Sequence, residues 1–580
     1  MSDEPQEKRK NRKRKKSFLK NARKYAKRGH FGRGSQIDED TYQYFLRVME
    51  TFKQEALDEE EKAILVEQVL QQTIDKELDF ACNQVGCRVL ETVLPFAQDS
   101  ALERFMEELG NDMRPLCSDR FAGFVLQALV AISAKKSLDS STDPDKRLYY
   151  RKFLQKVSNF LSNNMEDFVW DGIGNHILRT CLCSLVQIPD EKKEQTKRPN
   201  IKDVKGEDVK KEEVVVPEDY RAIVKQIGER LIVWPQFEEM CHSELTAGLF
   251  QVLLKALKKA DSKLMKSYLQ KLLTEIFLKN QSGEEAKLPQ GFLSSSMLVL
   301  LETALQVAEK KMFNQMCEQL FTGRMLQLAS LRSTNFAVQK VIAQCSNKTQ
   351  FDPLFDELAD HFLEIIEKDN PAVLLAVCEA CKRLSTKQGT FVRNMMKSLN
   401  CLEPEDRQQH FILCMCRLAP YDPKSPKAGL LKEKLSLQGT LMLQLMLEFN
   451  KPIALVNSLL NMDAQVLKEL FSHSMGSHIV DSYTKSAFIG ERSREKLVWK
   501  MKDTYQELAV SKYGSRAFEA IWNVANIKGK LQIMQELLHK EQLWCNSQFG
   551  KIIASKVNLA LFKRNKETWK SAIEVKPEEA

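Results

Sequence analysis

The stretch that decides the fold is KYGSRAFEAIW, residues 512–522. Ala517, Phe518, Ala520, Ile521 and Trp522 place apolar groups at the close spacing of a helix. Yet Gly514, Ser515 and Arg516 open it, and Glu519 follows four residues after Ser515. A glycine inside a helix costs about 1 kcal/mol relative to alanine, so its presence asks for a reason.

The pattern recurs along the chain. Tyr513-Gly514-Ser515-Arg516-Ala517-Phe518-Glu519 matches Met475-Gly476-Ser477-His478-Ile479-Val480-Asp481. It also matches Ile173-Gly174-Asn175-His176-Ile177-Leu178-Arg179 and Val85-Gly86-Cys87-Arg88-Val89-Leu90-Glu91. Looser copies begin at Phe121, Ser333 and Phe549; they supply Phe124 and Gln127, and Asn335, Phe336 and Gln339. Gly86 to Ala122 is 36 residues, Gly439 to Gly476 is 37, Gly476 to Gly514 is 38 and Gly514 to Gly550 is 36. A helical period of this size means stacked units, each burying its apolar face only against neighbours. About eleven are expected, with weak ones centred near Ala247, Leu298, Ala372, Phe411 and Thr440.

The signature has a geometry. Ser515 and Glu519 are i and i+4 and share one helix face. Arg516 lies about 100° round from Ser515, at the edge of that face. Ala517, Phe518 and Ile521 can turn to the core. For one repeat, a solvated polar face accounts for this. Across repeats the first position is Cys, Asn or Ser, the second Arg, His or Phe, and the third Glu, Gln, Asp or Arg. Arg, His and Phe share a planar group that stacks on a nucleobase. Short polar groups with Glu or Gln can meet a base edge. A strip of such triplets suits RNA better than a protein partner.

The totals agree. A chain of 580 residues implies several domains or a repeat array, and its helix-forming composition points to an all-α fold. Residues 8–33 hold fourteen Lys/Arg and no acid, and taking these from the formal charge of +9 leaves −5. KRKNRKRKK, residues 8–16, therefore reads as part of a tail disordered when free, serving nuclear import or nucleic-acid contact. Residues 189–217 carry eight acids and eight bases in 29 positions and read as a disordered insert. Shorter polar inserts are expected near Ser137–Lys146 and Lys279–Gln290. Fourteen cysteines lack paired spacing apart from Cys378 and Cys381, which argues for buried thiols in a reducing compartment rather than zinc. No apolar run approaches a spanning helix, and the basic N-terminus lacks the apolar core of a secretory signal. GxxxxGK[ST], GxSxG and HExxH are absent. GHFGRGS, residues 29–35, reads as a flexible segment touching RNA rather than a phosphate loop. Trp170 and Trp522 are expected in the core.

These residues resemble Pumilio-type (PUF) repeats. The resemblance implies that Ser515 and Glu519 meet a guanine edge while Arg516 stacks, with Cys87, Arg88 and Glu91 a similar set. Asn335, Phe336 and Gln339 resemble a uracil-reading set. Departures are plain: Arg179 replaces the usual Gln or Glu and suits a phosphate contact beside Asn175 and His176. Asp481 is shorter than Glu behind Ser477 and His478, and Gly123 offers no side chain. The basic segment KRKNRKRKKSFLKNARKYAKRGHFGRG, with CNQVGCRVLE, WDGIGNHILR and SKYGSRAFEAIW, is similar to the nucleolar protein nine branch over nearly the whole chain.

The expected fold is an all-α solenoid of about eleven Pumilio-type repeats, curved or U-shaped. It divides into a basic tail over 1–36, repeats over 37–188, an insert over 189–217, repeats over 218–562 and a C-terminal tail over 563–580. The resemblance implies a non-enzymatic nucleolar protein that needs no cofactor. It would bind single-stranded precursor ribosomal RNA on a concave face, alongside pre-ribosomal particle proteins, as a monomer off the membrane. Small-subunit RNA maturation would be assisted, with nuclease access controlled. A protein-binding scaffold of the HEAT or armadillo kind, and a Pumilio-like binder without sequence preference, remain open alternatives.

Overall fold

The computed structural model describes residues 18–52, 58–188, 215–279, 288–423, 434–539 and 541–574. The basic run 8–16, nearly all of the charged insert and most of the insert after Lys279 lie outside them. The chain divides into two compact units, Met1–Ala308 and Glu309–Ala580. Among the described residues there is no strand, and the one isolated bridge joins Gly34 and Asn83. No described helix is long and apolar enough to cross a membrane.

Each repeat is a long first helix, a short second helix and a third helix that carries the signature. The tenth repeat is Glu491–Lys500, Tyr505–Val510 and Gly514–Val524. Among the described residues eleven such units run from Glu59 to Lys556. In the first unit the third helices are Gly86–Val93, Ala122–Leu138, Gly172–Leu185, Glu244–Ala260 and Ser295–Val307, each packed on the next. In the second unit they are Asn335–Gln344, Pro371–Leu384, Leu437–Met446, Ser477–Lys485, Gly514–Val524 and Gln548–Lys556, again each on the next. The fold is an all-α solenoid. Phe411 is not a repeat of its own: Phe411–Arg417 is the second helix of the eighth repeat, and Thr440 lies on its third. The stretch joining those two helices is long, so the sequence period breaks there and mimics an extra unit.

The glycine at the start of the third helix now has its cause. A Cβ on Gly514 would lie 2.4 Å from Ser511 Oγ and 2.7 Å from the Leu508 carbonyl oxygen, six residues back. The same close approach recurs at Gly86, Gly476 and Gly550, where the carbonyl six residues earlier would sit 2.3, 2.1 and 1.9 Å away. The second helix thus ends against the start of the third, and a side chain does not fit between. Where threonine stands instead, its hydroxyl donates to that carbonyl: Thr246 to Met240 and Thr334 to Leu328, both at 2.6 Å. A cap three residues earlier accepts from the helix-start N–H. Ser511 takes it from Gly514 at 2.8 Å, Asp171 from Gly174 at 2.6 Å and Asp119 from Ala122 at 2.7 Å. Behind this turn Phe518, Ile521 and Trp522 are buried, with Tyr505 edge-on to Phe518. Burying Phe518 or Ile521 contributes about 1.5–3 kcal/mol each.

Both chain ends correct the sequence reading. Residues 18–36 belong to the folded body, not to a disordered tail. Phe18–Ala26 is a helix that buries Leu19, Ala22 and Ala26 against Glu39–Thr51, and Arg23 pairs with Glu50. Repulsion among the basic residues is overcome because apolar groups fall on one face of that helix. GHFGRGS is likewise a fixed strap rather than a flexible segment. Asn83 Nδ2 donates to the carbonyls of Ser35 at 2.8 Å and Phe31 at 3.3 Å. Gly34 has φ +92°, and a Cβ there would meet the Cys82 carbonyl at 1.9 Å, so only glycine fits. At the other end, Leu559–Arg564 and Lys566–Glu574 are helices and Trp569 is fully buried. Its indole Nε1 donates to the Val557 carbonyl at 2.8 Å. The expected C-terminal tail is therefore folded through most of its described length. The expected insert near residue 137 shrinks to a five-residue link over 139–143, after which Pro144 starts a 20-residue helix capped by Asp143. Trp522 is in the core, whereas Trp170 is exposed at the turn before Gly172.

Candidate nucleic-acid interface

Within each unit the side-by-side third helices set equivalent positions next to one another. The second position of the signature is the one that opens outward. Arg88, Phe124 and His176 are exposed in the first unit; Phe336 and Arg516 are exposed and His478 half-buried in the second. Phe336 is 58% exposed, the most open of the phenylalanines on the described surface. A single exposed phenylalanine is ordinary on a protein surface; what sets Phe336 and Phe124 apart is that they share the position of the exposed Arg88, His176 and Arg516.

The first position, expected to meet a base edge, is turned inward in the structure. Cys87, Asn175, Asn335, Ser477 and Ser515 are all buried. Each side chain turns back on the chain that precedes its helix. Asn175 Nδ2 donates to the Val169 carbonyl at 2.7 Å, Asn335 Nδ2 to Arg332 at 2.7 Å and Ser515 Oγ to Lys512 at 3.1 Å. The reason is local: these residues fall within the first turn of the helix, where free carbonyls of the preceding turn offer partners. Burial also pushes the Cys87 thiol up to about 12, so it is not a thiolate at neutral pH. Spacing shows that positions one and three share a face, but not that the turn reaches the first side chain before a ligand could.

The third position is half-buried in every strong repeat and, Arg179 apart, is held by a hydrogen bond or ion pair. Glu91 pairs with Arg88 at 3.6 Å, and the Arg88 guanidinium lies 5.6 Å from the centroid of the Phe124 ring. Gln127 accepts from Thr180 of the next repeat at 3.1 Å and donates to the Gly123 carbonyl at 3.2 Å. Gln339 Nε2 donates to Asn335 Oδ1 at 2.9 Å. Asp481 sits between Lys485 at 3.3 Å and His478 at 3.9 Å. Glu519 pairs across to Lys556 of the eleventh repeat at 2.9 Å. Arg179 lies against Gly248 of the fourth repeat, its Nη1 2.8 Å from where a Cβ on that glycine would be. Burial lowers the Arg179 pKa, and among the described residues it has no carboxylate partner.

Two glutamines are among the third-position residues that escaped the sequence reading. Gln251 follows Thr246 by five residues, as Glu519 follows Gly514, and Gln444 follows Gly439 by the same interval. Both are half-buried on third helices. The interval was the available signal; Ala247, Gly248, Thr440 and Leu441 between them hid it. Among the described residues no group of three or more His, Cys, Asp or Glu could hold a metal ion. Cys378 and Cys381 are both buried, and burial pushes both thiols well up.

Planar side chains recurring at one position of successive third helices, backed by amides and carboxylates, are those of a Pumilio-like RNA-binding repeat protein. Residues 75–552 match the family model described as a NOP9-like PUF repeat domain, and the chain belongs to that family. It is 21% identical over 560 residues to Nucleolar protein 9 of Homo sapiens, covering 91% of this chain and 87% of that protein. It is 22% identical over 570 residues to Pumilio homolog 23 of Arabidopsis thaliana, covering 93% of this chain and 74% of that one. The solved structure of APUM23-GGAAUUGACGG is similar in fold, with TM-score 0.69 and 19% identity, covering 93% of this chain and 100% of that one.

Proposed function

We propose that the protein binds single-stranded RNA along the third helices, with bases stacked on second-position side chains and their edges met at the third position. The observation that carries this is the exposure of Arg88, Phe124, His176, Phe336 and Arg516 at one equivalent site. The first-position residues hold the helix start and shape the slot rather than read the base. Glu519 can accept from the ring N–H and amino group of guanine once Lys556 is displaced, and Gln339 suits uracil. With intact sets in fewer than half of the repeats, sequence preference is discontinuous. The basic run at 8–16 adds salt-dependent affinity without specificity. Relatives named Nucleolar protein 9 support a nucleolar site of action. There the RNA would be precursor ribosomal RNA of the small subunit, bound so as to govern nuclease access.

The test is binding of the full chain to GGAAUUGACGG and to RNA enriched by it from a randomised 11-nucleotide pool. Loss of one stacking group costs about 1–3 kcal/mol per base. Arg516→Ala, Arg88→Ala and Phe336→Ala are each expected to weaken binding about 5- to 100-fold, each at its own base position. Unchanged affinity in all three refutes the inner-face reading and favours a protein scaffold. Equal affinity for every RNA in the pool would instead assign binding without sequence preference.

A further inference from the structure

We infer that Arg179 of the third repeat is the stacking platform of the fourth repeat, standing in for the side chain that Gly248 lacks. The inference rests on the RNA reading above and gives a base slot to a repeat whose own signature has no planar residue.

Gly248 occupies the second position of the fourth repeat, two residues after Thr246, as Arg516 stands two after Gly514. Elsewhere that position projects its side chain outward from the third helix, as Phe336 does. At Gly248 the direction a Cβ would take is filled by Arg179. Its Nη1, Cζ and Nη2 lie 2.8, 3.1 and 3.3 Å from that point. All three distances are short together, so the planar group as a whole covers the glycine rather than touching it with one nitrogen. A guanidinium stacks on a base as an aromatic ring does, through its flat face.

Arg179 is free to act so. It belongs to the third helix Gly172–Leu185, which packs directly on Glu244–Ala260. It is half-buried and, among the described residues, has neither an ion-pair nor a hydrogen-bond partner. A partly desolvated guanidinium left unpaired is costly, which is why burial lowers its pKa; a base or phosphate closing over it would relieve that cost. On the same turn of the fourth repeat, Gln251 stands at the third position with its amide available for a base edge. With Ala247 at its first position, the fourth repeat still holds a stacking group and an edge-reading group, the former supplied by its neighbour. Any side chain at position 248 larger than hydrogen would displace the guanidinium, so the glycine and the arginine form one device.

A phosphate contact by the same arginine is the competing account, and the two differ in what lysine can replace. The experiment uses the full chain and RNA that it enriches from a randomised 11-nucleotide pool, scanned with a single abasic site at each position. In the wild type, one abasic position adjoining the one governed by His176→Ala should weaken binding about 5- to 100-fold, the span of single-base stacking. Arg179→Ala should weaken the intact RNA to a like extent and make it indifferent to that abasic site. Arg179→Lys should behave as Arg179→Ala, since it keeps the charge and loses the plane. Arg179→Ala with Gly248→Tyr should regain the sensitivity to that site, because the ring enters the space the guanidinium left.

Full affinity in Arg179→Lys overturns the inference in favour of phosphate. An Arg179→Ala protein that binds unchanged, or a paired variant that regains nothing, overturns it too. So does faster amide hydrogen exchange across the third and fourth repeats in Arg179→Ala, which would make the role one of packing. Arg516→Ala on the same RNA separates the two levels. If Arg516 matters and Arg179 does not, this inference alone fails; if neither matters, the inner-face reading fails with it.

Discussion

Replacing Gly514 with alanine sets two effects of opposite sign against each other. On helix propensity alone the change stabilises by about 1 kcal/mol, because alanine loses less backbone freedom on folding. Against that, the new Cβ would stand 2.7 Å from the Leu508 carbonyl oxygen and 2.4 Å from Ser511 Oγ. The serine can rotate away, but it then releases the Gly514 N–H it holds at 2.8 Å, a lost cap of about 1 kcal/mol. The carbonyl is backbone and yields only if the second helix shifts, an overpacking cost of about 1–3 kcal/mol. The net expectation is a destabilisation of about 1–3 kcal/mol confined to the tenth repeat and its neighbours. Native-state hydrogen exchange reads it, since an array of repeats opens locally rather than all at once. Amides of Gly514–Val524 should exchange about 5- to 100-fold faster. Gly389, in the first helix of the eighth repeat, is the control: nothing lies within 4 Å of its Cβ position, and Gly389→Ala should slow exchange there by about 0.4–1 kcal/mol. A Gly514→Ala protein with unchanged or slower exchange would refute the close-approach argument.

Asn83→Ala removes the two amide bonds to Ser35 and Phe31 and the cap on Val85 and Gly86; exchange at residues 31–36 should rise about 5- to 30-fold while the tenth repeat is unaffected. Trp569→Ala empties a fully buried site and cuts the bond to Val557, a loss of about 3–5 kcal/mol. Limited proteolysis should then cleave within residues 559–574, which the wild type protects. His410 stacks on Tyr421 with ring centroids 4.6 Å apart, and burial lowers its pKa from the ordinary 6.5. As pH falls below 6.5 the unfolded chain takes up a proton that the folded chain still refuses, so stability is lost on acidification. Protection factors of the Phe411–Arg417 amides, corrected for the intrinsic exchange rate, should fall as pH drops through about 6.5, and His410→Gln should remove that dependence.

The repeat and its polar signature were legible because spacing survives in a linear string: Gly476, Gly514 and Gly550 announce their period without coordinates. What the string could not carry was direction. Ser515 and Glu519 share a face in any helix, yet only the packed turn shows Ser515 bending back to Lys512 while Arg516 stays open. Nor could it show reach between repeats. Arg179 looked like a faulty third-position residue because its own repeat was the only frame in which to judge it. Composition misled at the ends. Fourteen basic residues in 8–33 outweighed Leu19, Ala22 and Ala26, whose spacing of three and four already traced one face of a short helix. Likewise the glycines of GHFGRGS read as flexibility, when Gly34 is required by the Cys82 carbonyl pressed against it.

The helices before the first repeat and after the eleventh have a consequence for assembly. A stack of like units has, at each end, a face of the same kind that joins its interior members. Left bare, such a face would accept the opposite end of another molecule, and head-to-tail contacts that do not close into a ring grow into filaments. Phe18–Ala26 with Glu39–Thr51 covers one such face and Lys566–Glu574, through Trp569, covers the other. These short segments, which carry none of the signature's exposed planar side chains, cap the array, so that neither end presents the bare repeat face through which a second copy could stack.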